Sequence, residues 1–194
     1  MPLSAAQIRT FLDGPTTIET VITDPIEECP SALDVTGLNE QAIISLMVTT
    51  LSVIVSSLQK GIDKPTYFHI EPPRPEMNDI QPIRLPMVLS YACARENICT
   101  FGEGSFLAIG DLDSKGNVRH CEGVAKAVAL AVKERRIAII PYDSIGKEDF
   151  SAVRDADNVF VVRRVEDAVN VLRKKKGKTL QEAVRLVGEG KVWS

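Results

Sequence analysis

The stretch "FLAIGDLDSKGNVRHCEGVAKAVALA", Phe106 to Ala131, contains the signals for a strand, a turn and a helix in succession. Its apolar beginning predicts a strand from Phe106 to Leu112. The polar segment "DSKGN" predicts a hairpin turn, in which Gly116 takes a positive φ before the chain returns at Val118. Small apolar residues from Gly123 to Glu134 predict a helix that packs closely on a sheet.

The same stretch nearly matches the calcium-binding loop of an EF-hand, counted from Asp111 to Glu122. Such a loop needs oxygen ligands at its fifth and ninth positions and lies between two helices. Lys115 and Arg119 occupy those positions, and the segment before the loop is predicted to be a strand. We therefore favour a hairpin over a calcium site.

The composition of the chain is that of a soluble globular protein with one well-buried core. Its 194 residues are 44% hydrophobic and 25% charged. The formal net charge of -3 excludes a general basic field over the surface. Any binding to nucleic acid would therefore depend on a local basic patch.

The four cysteines, Cys29, Cys93, Cys99 and Cys121, include no C-x-x-C pair and follow no secretory signal. We expect reduced, mostly buried thiols in a cytoplasmic protein. A zinc site formed by Cys93, Cys99, His120 and Cys121 lacks recognised finger spacing, so no metal is assigned.

One uncharged run, Ala42 to Leu58, has seventeen residues, which is the lower limit for crossing a bilayer. Its serines and threonines favour instead a helix that is buried on most sides, and no membrane partner is expected. Asn39 is the expected N-cap, and the expected end is at Lys60 and Gly61. The β-branched residues of the run leave a strand as an alternative, so the prediction of a helix rests on length.

The rest of the chain predicts alternating strands and helices, as in one α/β domain with a mixed sheet packed with helices. Strands are expected at Thr16 to Thr23, Ala32 to Thr36, Thr66 to Pro72, Arg136 to Asp143 and Asn158 to Arg164. Helices are expected from Pro86 to about Glu96, from Val165 to Lys175, and from Thr179, which forms a capping box with Glu182. Between Pro72 and Pro82 the prolines predict an irregular loop.

The segment "KKKGKT" before the last helix resembles the end of a nucleotide-binding P-loop. Leu172 stands at the first glycine of that motif, and a helix is predicted where the motif needs a strand. Nucleotide binding is therefore rejected. The basic cluster around this segment is interpreted first as a solvated helix end.

Four blocks of the sequence resemble, in order, the magnesium-chelatase-related, ComM-like AAA+ proteins. They are "CPSALDVTGLNEQA" (Cys29 to Ala42), "IRLPMVLSYACA" (Ile83 to Ala94), the stretch from Phe106 to Ala131, and "RIAIIPYDS" (Arg136 to Ser144). The resemblance implies a Lon-protease-like fold, of the ribosomal-protein-type βαβ kind, which the C-terminal domain of RadA shares. We expect this domain to cover residues 1–177, followed by an amphipathic helix and tail over 178–194.

Lon-type peptidases use a serine nucleophile and a lysine base, which must lie within reach of each other. The resemblance aligns Pro82 with the position of the catalytic serine and Ala125 with the position of the catalytic lysine. Lys126 is one residue further along and therefore lies about 100° around the helix. A shift of one residue restores Lys126, but the sequence has no serine between Ser57 and Ser90. Peptidase activity is not expected, and no catalytic residue is assigned.

Other candidate nucleophiles are weak. His120 and Cys121 are sequence neighbours, which point to opposite faces of an extended segment. His69 is interpreted as a structural histidine of an apolar strand. Asp143 and Ser144 follow a strand end, where α/β proteins often place functional residues, but turn or N-cap roles are favoured.

The favoured hypothesis is a non-catalytic Lon-like assembly module that forms a homo-oligomer and acts with a AAA+ ATPase. Because the sequence contains no P-loop, that ATPase is expected on a separate chain, unless the chain is free-standing or truncated. The alternative is a Lon-like peptidase or hydrolase whose nucleophile is not located. The resemblance to RadA adds DNA as a candidate partner, without a cofactor, and the candidate contacts are Arg163, Arg164, Arg173, Lys174, Lys175, Lys176 and Lys178.

Overall fold

The structure is a computed structural model that describes residues 2–24, 33–58, 62–98, 100, 105–153 and 155–190. Several predicted features lie outside these residues. They are Cys29, Cys99, the beginning of the strand predicted from Ala32, and the helix end predicted at Lys60 and Gly61.

The described residues form nine strands and five α-helices. The strands are β1 (Pro2–Phe11), β2 (Pro15–Thr23), β3 (Leu33–Leu38), β4 (Thr66–Arg74), β5 (Phe106–Ala108), β6 (Asp111–Leu112), β7 (Val118–Arg119), β8 (Ile137–Pro141) and β9 (Val159–Val162). The helices are α1 (Glu40–Ser57), α2 (Gln81–Glu96), α3 (Val124–Lys133), α4 (Val165–Lys174) and α5 (Leu180–Gly188).

Seven of the strands form one mixed sheet in the order β3-β4-β2-β1-β5-β8-β9. The β1–β2 and β2–β4 pairs are antiparallel, whereas the other pairs of this sheet are parallel. Strands β6 and β7 form a separate antiparallel hairpin. The predicted α/β class with a mixed sheet is confirmed.

The sheet is covered unequally on its two faces. On one face, the buried side chains of β1, β2, β4 and alternate residues of β5, β8 and β9 pack against α1, α2 and α4. On the other face, α3 and α5 cover the β5-β8-β9 part, where Leu107, Ala138 and Val161 pack against them. Strands covered on both faces are apolar throughout, as in β9, whereas β2 alternates between buried and half-exposed residues.

The central helix α2 begins at Gln81, so the prediction that it starts at Pro86 is wrong. Pro82 lies in its first turn and Pro86 lies inside it. Because Pro86 has no N–H, the Pro82 carbonyl lacks its usual helical donor. The Gly110 N–H donates to that carbonyl at 3.2 Å, and the Gly110 carbonyl accepts from the Leu85 N–H at 3.0 Å. These two bonds let a proline-containing segment continue as a helix.

The loop predicted from Pro72 to Pro82 is correspondingly shorter. Strand β4 continues to Arg74, and the irregular segment runs only from Pro75 to Ile80 before α2. The predicted strand from Phe106 to Leu112 is likewise divided at Gly110, with β5 in the large sheet and β6 in the hairpin.

Helix α1 confirms the predicted helix and its N-cap, since the Asn39 side chain accepts from the Ala42 N–H at 2.9 Å. The prediction that α1 is buried on most sides is wrong, because only 28% of its residues are buried. Helix α2 takes the central position, so α1 lies outside it and buries one face. By length and composition alone α1 also passes as a membrane span, a test that core helices of soluble proteins pass too. A mixed sheet with helices packed on it gives the chain the appearance of a soluble protein.

We expect Gly110→Ala to lower the free energy of unfolding by about 2–3 kcal/mol. Gly110 has a φ of +154°, and an added Cβ would lie 3.0 Å from the Pro141 Cγ and 3.3 Å from side-chain atoms of Leu85 and Val118. Urea unfolding followed by circular dichroism measures the effect. Gly188→Ala in α5 is the control, since its Cβ meets no described atom within 4 Å and alanine favours a helix. An equal loss in both variants would contradict the role of Gly110.

Candidate functional site

A cleft of about 490 Å³ opens where the β1–β2 turn meets the first turns of α2 and α3. Its volume lies within the range of small-ligand sites. Pro82 and Ala125, the two positions that the resemblance aligns with the peptidase serine and lysine, both line it. Its other lining residues are Phe11, Leu12, Asp13, Met77, Asp79, Glu122, Gly123, Lys126 and Glu148.

The N-terminus of α3 points into this cleft and is capped by a distant carboxylate. The N-cap residue Gly123 has no side chain that could accept a hydrogen bond, so the Glu148 carboxylate caps the helix instead. Glu148 Oε1 accepts from the Val124 N–H at 3.1 Å, and Oε2 accepts from the Ala125 N–H at 2.6 Å. A helix N-terminus attracts anions through its free N–H groups and its dipole. In this cleft a side chain of the protein already occupies that position.

A carboxylate also caps the N-terminus of α2, where Asp79 Oδ1 accepts from the Gln81 N–H at 3.0 Å. Asp13 and Glu122 add two more carboxylates to the lining, whereas Lys126 is the only cation among its described residues. The cleft is therefore acidic. Among the described residues, however, no group of three or more His, Cys, Asp or Glu side chains is arranged to hold a metal ion.

The lining residues include no serine, threonine, cysteine or histidine. Ser90, the first serine after Pro82, lies further along α2 and is fully buried. Its hydroxyl is 2.6 Å from the Thr20 hydroxyl and serves to join α2 to the sheet. The described part of the cleft thus offers no hydroxyl or thiol nucleophile.

His120 and Ser144 form a serine–histidine pair outside the cleft lining. The Ser144 Oγ lies 3.0 Å from the His120 Nδ1, and Glu148 Oε1 lies 3.7 Å from that same nitrogen. In a catalytic triad the serine and the acid use different ring nitrogens. Ser144 is also fully buried, in the short 3-10 turn after β8. The pair therefore joins this turn to the segment before α3.

The two described cysteines lie in different clusters of the core, Cys93 on the α2 face and Cys121 on the α3 face. The zinc set considered from the sequence is therefore not assembled. Burial raises the pKa of the Cys93 thiol to about 12 and raises the pKa of the Cys121 thiol as well. Both remain protonated near neutral pH and are poor nucleophiles.

His69 and Asp143 also have structural partners. The His69 Nδ1 lies 2.7 Å from the Thr36 hydroxyl, and its Nε2 lies 3.3 Å from a Glu71 carboxylate oxygen. This histidine is exposed on β4, not enclosed in an apolar strand. An Asp143 carboxylate oxygen lies 3.7 Å from the Arg119 guanidinium.

The hairpin that resembled a calcium loop is held by protein donors. Its turn is confirmed, with Gly116 at a φ of +78° and β6 paired with β7. Asp111 Oδ1 accepts from the Arg84 guanidinium at 2.7 Å. The Asp113 carboxylate accepts from the backbone N–H groups of Lys115 and Asn117 and from the side chains of Asn117 and Arg119.

The seven basic residues considered for DNA binding do not form one face. Arg163 and Arg164 lie before α4, whereas Arg173 to Lys178 lie at its other end, about 15 Å away along ten residues. Arg163 stacks over the Tyr142 ring, and Arg164 pairs with Glu166.

At the far end of α4, Arg173 pairs with Glu96. The Lys178 carbonyl accepts from the Val161 N–H, which fixes that segment beside β9. Lys174, Lys175 and Lys176 are exposed and make no ion pair with any described residue. They are the cations of this set that remain available to a ligand.

The segment resembling a P-loop follows helix α4, as predicted, and leads into α5. The predicted capping box is confirmed. The Thr179 hydroxyl accepts from the Glu182 N–H, and the Glu182 carboxylate accepts from the Thr179 N–H. These bonds occupy the helix terminus that would otherwise face a phosphate.

Comparison with known proteins adds no assignment, since no family model matches the chain and no curated protein matches its sequence.

We expect Asp113→Asn to destabilise the protein by about 1–2 kcal/mol at neutral pH, and by less as the pH falls from 5 toward 2. Burial raises the pKa of Asp113, but the hydrogen bonds from Asn117, Arg119 and Lys115 outweigh it and hold the pKa at about 2, below the ordinary 3.8. The ionised carboxylate therefore stabilises the fold above pH 4, and this stabilisation is lost as the pH approaches 2. Asparagine cannot accept all four bonds.

Urea unfolding at several pH values, compared with the exposed control Asp34→Asn, measures the Asp113 contribution. A difference in the free energy of unfolding between wild type and Asp113→Asn that does not change with pH would contradict the stabilising role of the ionised Asp113 carboxylate.

Proposed function

We propose that this protein is a non-catalytic, Lon-like assembly module of the kind joined to ComM-like AAA+ ATPases. The observation that carries the proposal is that Pro82 and Ala125 line one cleft. The resemblance aligned each of them, from separate blocks of sequence, with one member of a catalytic pair. The two positions that this alignment assigns to the catalytic pair thus line the same cleft, although neither has a reactive side chain.

The order of elements supports the same relationship. The block from Ile83 to Ala94 lies within α2, the stretch from Phe106 contains β5, the hairpin and α3, and the block from Arg136 contains β8. These three blocks thus fall on consecutive elements of the α/β domain, and the first block, Cys29 to Ala42, lies partly outside the described residues. A Lon-protease-like fold is our proposal for how these units are related to known proteins.

The described part of the cleft lacks a hydroxyl or thiol nucleophile, and the Glu148 carboxylate occupies N–H groups that could bind an oxyanion. Catalysis by a serine–lysine pair needs an activated hydroxyl and free donors for the developing oxyanion. Here Pro82 has no hydroxyl and Ala125 no amine, while Glu148 accepts from the N–H groups at the start of α3. An oxyanion near this helix end would meet a carboxylate. The geometry therefore supports a structural or binding role.

The remaining parts of the proposal are a homo-oligomer in the cytoplasm, a AAA+ ATPase as partner, and DNA as a ligand. Protonated, buried Cys93 and Cys121 agree with a reducing compartment. DNA would contact the far end of α4, where Lys174, Lys175 and Lys176 are exposed. An overall charge of -3 means that this contact would be local.

We expect no hydrolysis of unfolded casein by the purified protein and no labelling by a fluorophosphonate, because no described nucleophile lines the cleft. A serine–lysine peptidase serves as the positive control. Turnover that the reagent abolishes would overturn the proposal in favour of a hydrolase. Loss of that turnover in Ser144→Ala would assign it to the His120–Ser144 pair.

We expect a short DNA duplex to bind with an affinity that falls steeply with salt, measured by fluorescence anisotropy. Replacing Lys174, Lys175 and Lys176 together by glutamine should reduce the slope of log K against log salt by up to about 2.7, since each phosphate contact contributes about 0.9.

A triple replacement of the exposed Lys115, Lys133 and Lys147 by glutamine changes the net charge equally and is the matched control. Absence of binding at low salt, or an equal effect of the control, would contradict DNA binding by α4.

A further inference from the structure

Helix α1 presents a straight apolar stripe to solvent. Ile44, Val48 and Val55 are 59%, 66% and 58% exposed, and the partly buried Leu51 lies between them. At 100° per residue the four side chains fall within an arc of about 60°. The sequence from Ala42 to Leu58 contains no charged residue. An exposed apolar surface of this kind usually marks an interaction site.

We propose that this stripe is the contact between two copies of this chain related by a two-fold axis. The stripe residues follow the spacing four, three, four, which is the same when the helix is reversed. Antiparallel α1 helices would therefore place Ile44 of one copy against Val55 of the other, and Val48 against Leu51. Such self-complementarity is the requirement for a symmetric dimer interface.

The charge distribution favours a second copy over a foreign protein or a membrane. An uncharged surface can meet itself without like-charge repulsion, which would otherwise oppose association of two acidic chains. The neighbouring residues on one side of the stripe, Gln41, Ser45 and Ser52, are uncharged. The Arg84 guanidinium lies 3.4 Å from the Ser45 hydroxyl, but Asp111 pairs with it at 2.7 Å, so the described residues of this flank offer anionic lipid no unpaired cation. The antiparallel arrangement also sets the two helix dipoles in opposite directions.

The size of the stripe predicts a weak dimer. It is about 16 Å long on a helix about 10 Å wide, so it buries less than the roughly 1,200 Å² of a stable interface. We expect a reversible dimer that forms only at high protein concentration. This inference rests on the homo-oligomer in the proposed function and names its interface.

The test is sedimentation equilibrium of the wild-type chain and of Val48→Lys over a range of concentrations. The substituted position enters a two-fold interface twice, so Val48→Lys should raise the dissociation constant at least about 10-fold. Ser56→Lys adds the same charge at another exposed position of α1 and should change it less than about 2-fold. Because Val48 is exposed, thermal unfolding of the variant should match that of the wild type.

Three outcomes would overturn the interface. A wild type that stays monomeric contradicts both the dimer and the homo-oligomer of the proposed function, whereas its non-catalytic character and its DNA binding are tested separately by the casein and anisotropy measurements. An oligomer that Val48→Lys leaves intact uses another surface. Binding of the wild type, but not of Val48→Lys, to vesicles of phosphatidylcholine and phosphatidylglycerol would assign the stripe to lipid.

Discussion

Two backbone hydrogen bonds join Gly110 to the start of α2, which forms one wall of the cleft. They leave the buried proline helix with satisfied backbone groups at Pro82 and Leu85. They also end β5 and start the hairpin, because the chain turns at Gly110 to reach them. Gly110 has side chains of Leu85, Val118 and Pro141 around it, and an added Cβ would lie only 3.0–3.3 Å from them, so these side chains would have to shift. The first turn of α2, and with it one wall of the cleft, is therefore positioned by a residue that lies outside the cleft.

The same arrangement accounts for the chemistry of the cleft. Proline suits the first turn of a helix, where its missing N–H costs nothing, but it brings no nucleophile to position 82. Helix N-termini still point into the space, and such termini need negative partners. Glu148 and Asp79 supply them from within the protein. The result is an acidic cleft that favours cationic or apolar ligands over anionic ones.

Local signals in the sequence predicted much of the fold but little of the cleft. The hairpin at Gly116, the Asn39 cap and the Thr179 box are set by residues a few positions apart, so sequence patterns revealed them. Strand β1 was not predicted, because "PLSAAQIRTF" has few β-branched residues and its partners β2 and β5 supply the pairing. The exposure of α1 depends on the central position of α2, which no local pattern records. Glu148 caps a helix that begins 24 residues earlier, and such a contact exists only after folding. Pro82 and Ala125 were singled out by the family resemblance, because no pattern in the sequence around them indicates a site.

The separation of charge along α4 limits how this chain can meet a polyanion. Strand β9 runs parallel to β8 and β5, and β5 is parallel to β1, so Arg163 and Arg164 follow the strand end at the edge where the cleft opens. Helix α4 then returns to the opposite edge, which carries Lys174, Lys175 and Lys176. At physiological salt charges more than about 8 Å apart act almost independently, so the two basic groups do not combine into one field. The acidic cleft repels phosphate at the first edge, while the lysines at the second are free of ion pairs among the described residues. Under the proposed function, a nucleic acid would therefore bind at the edge remote from the cleft.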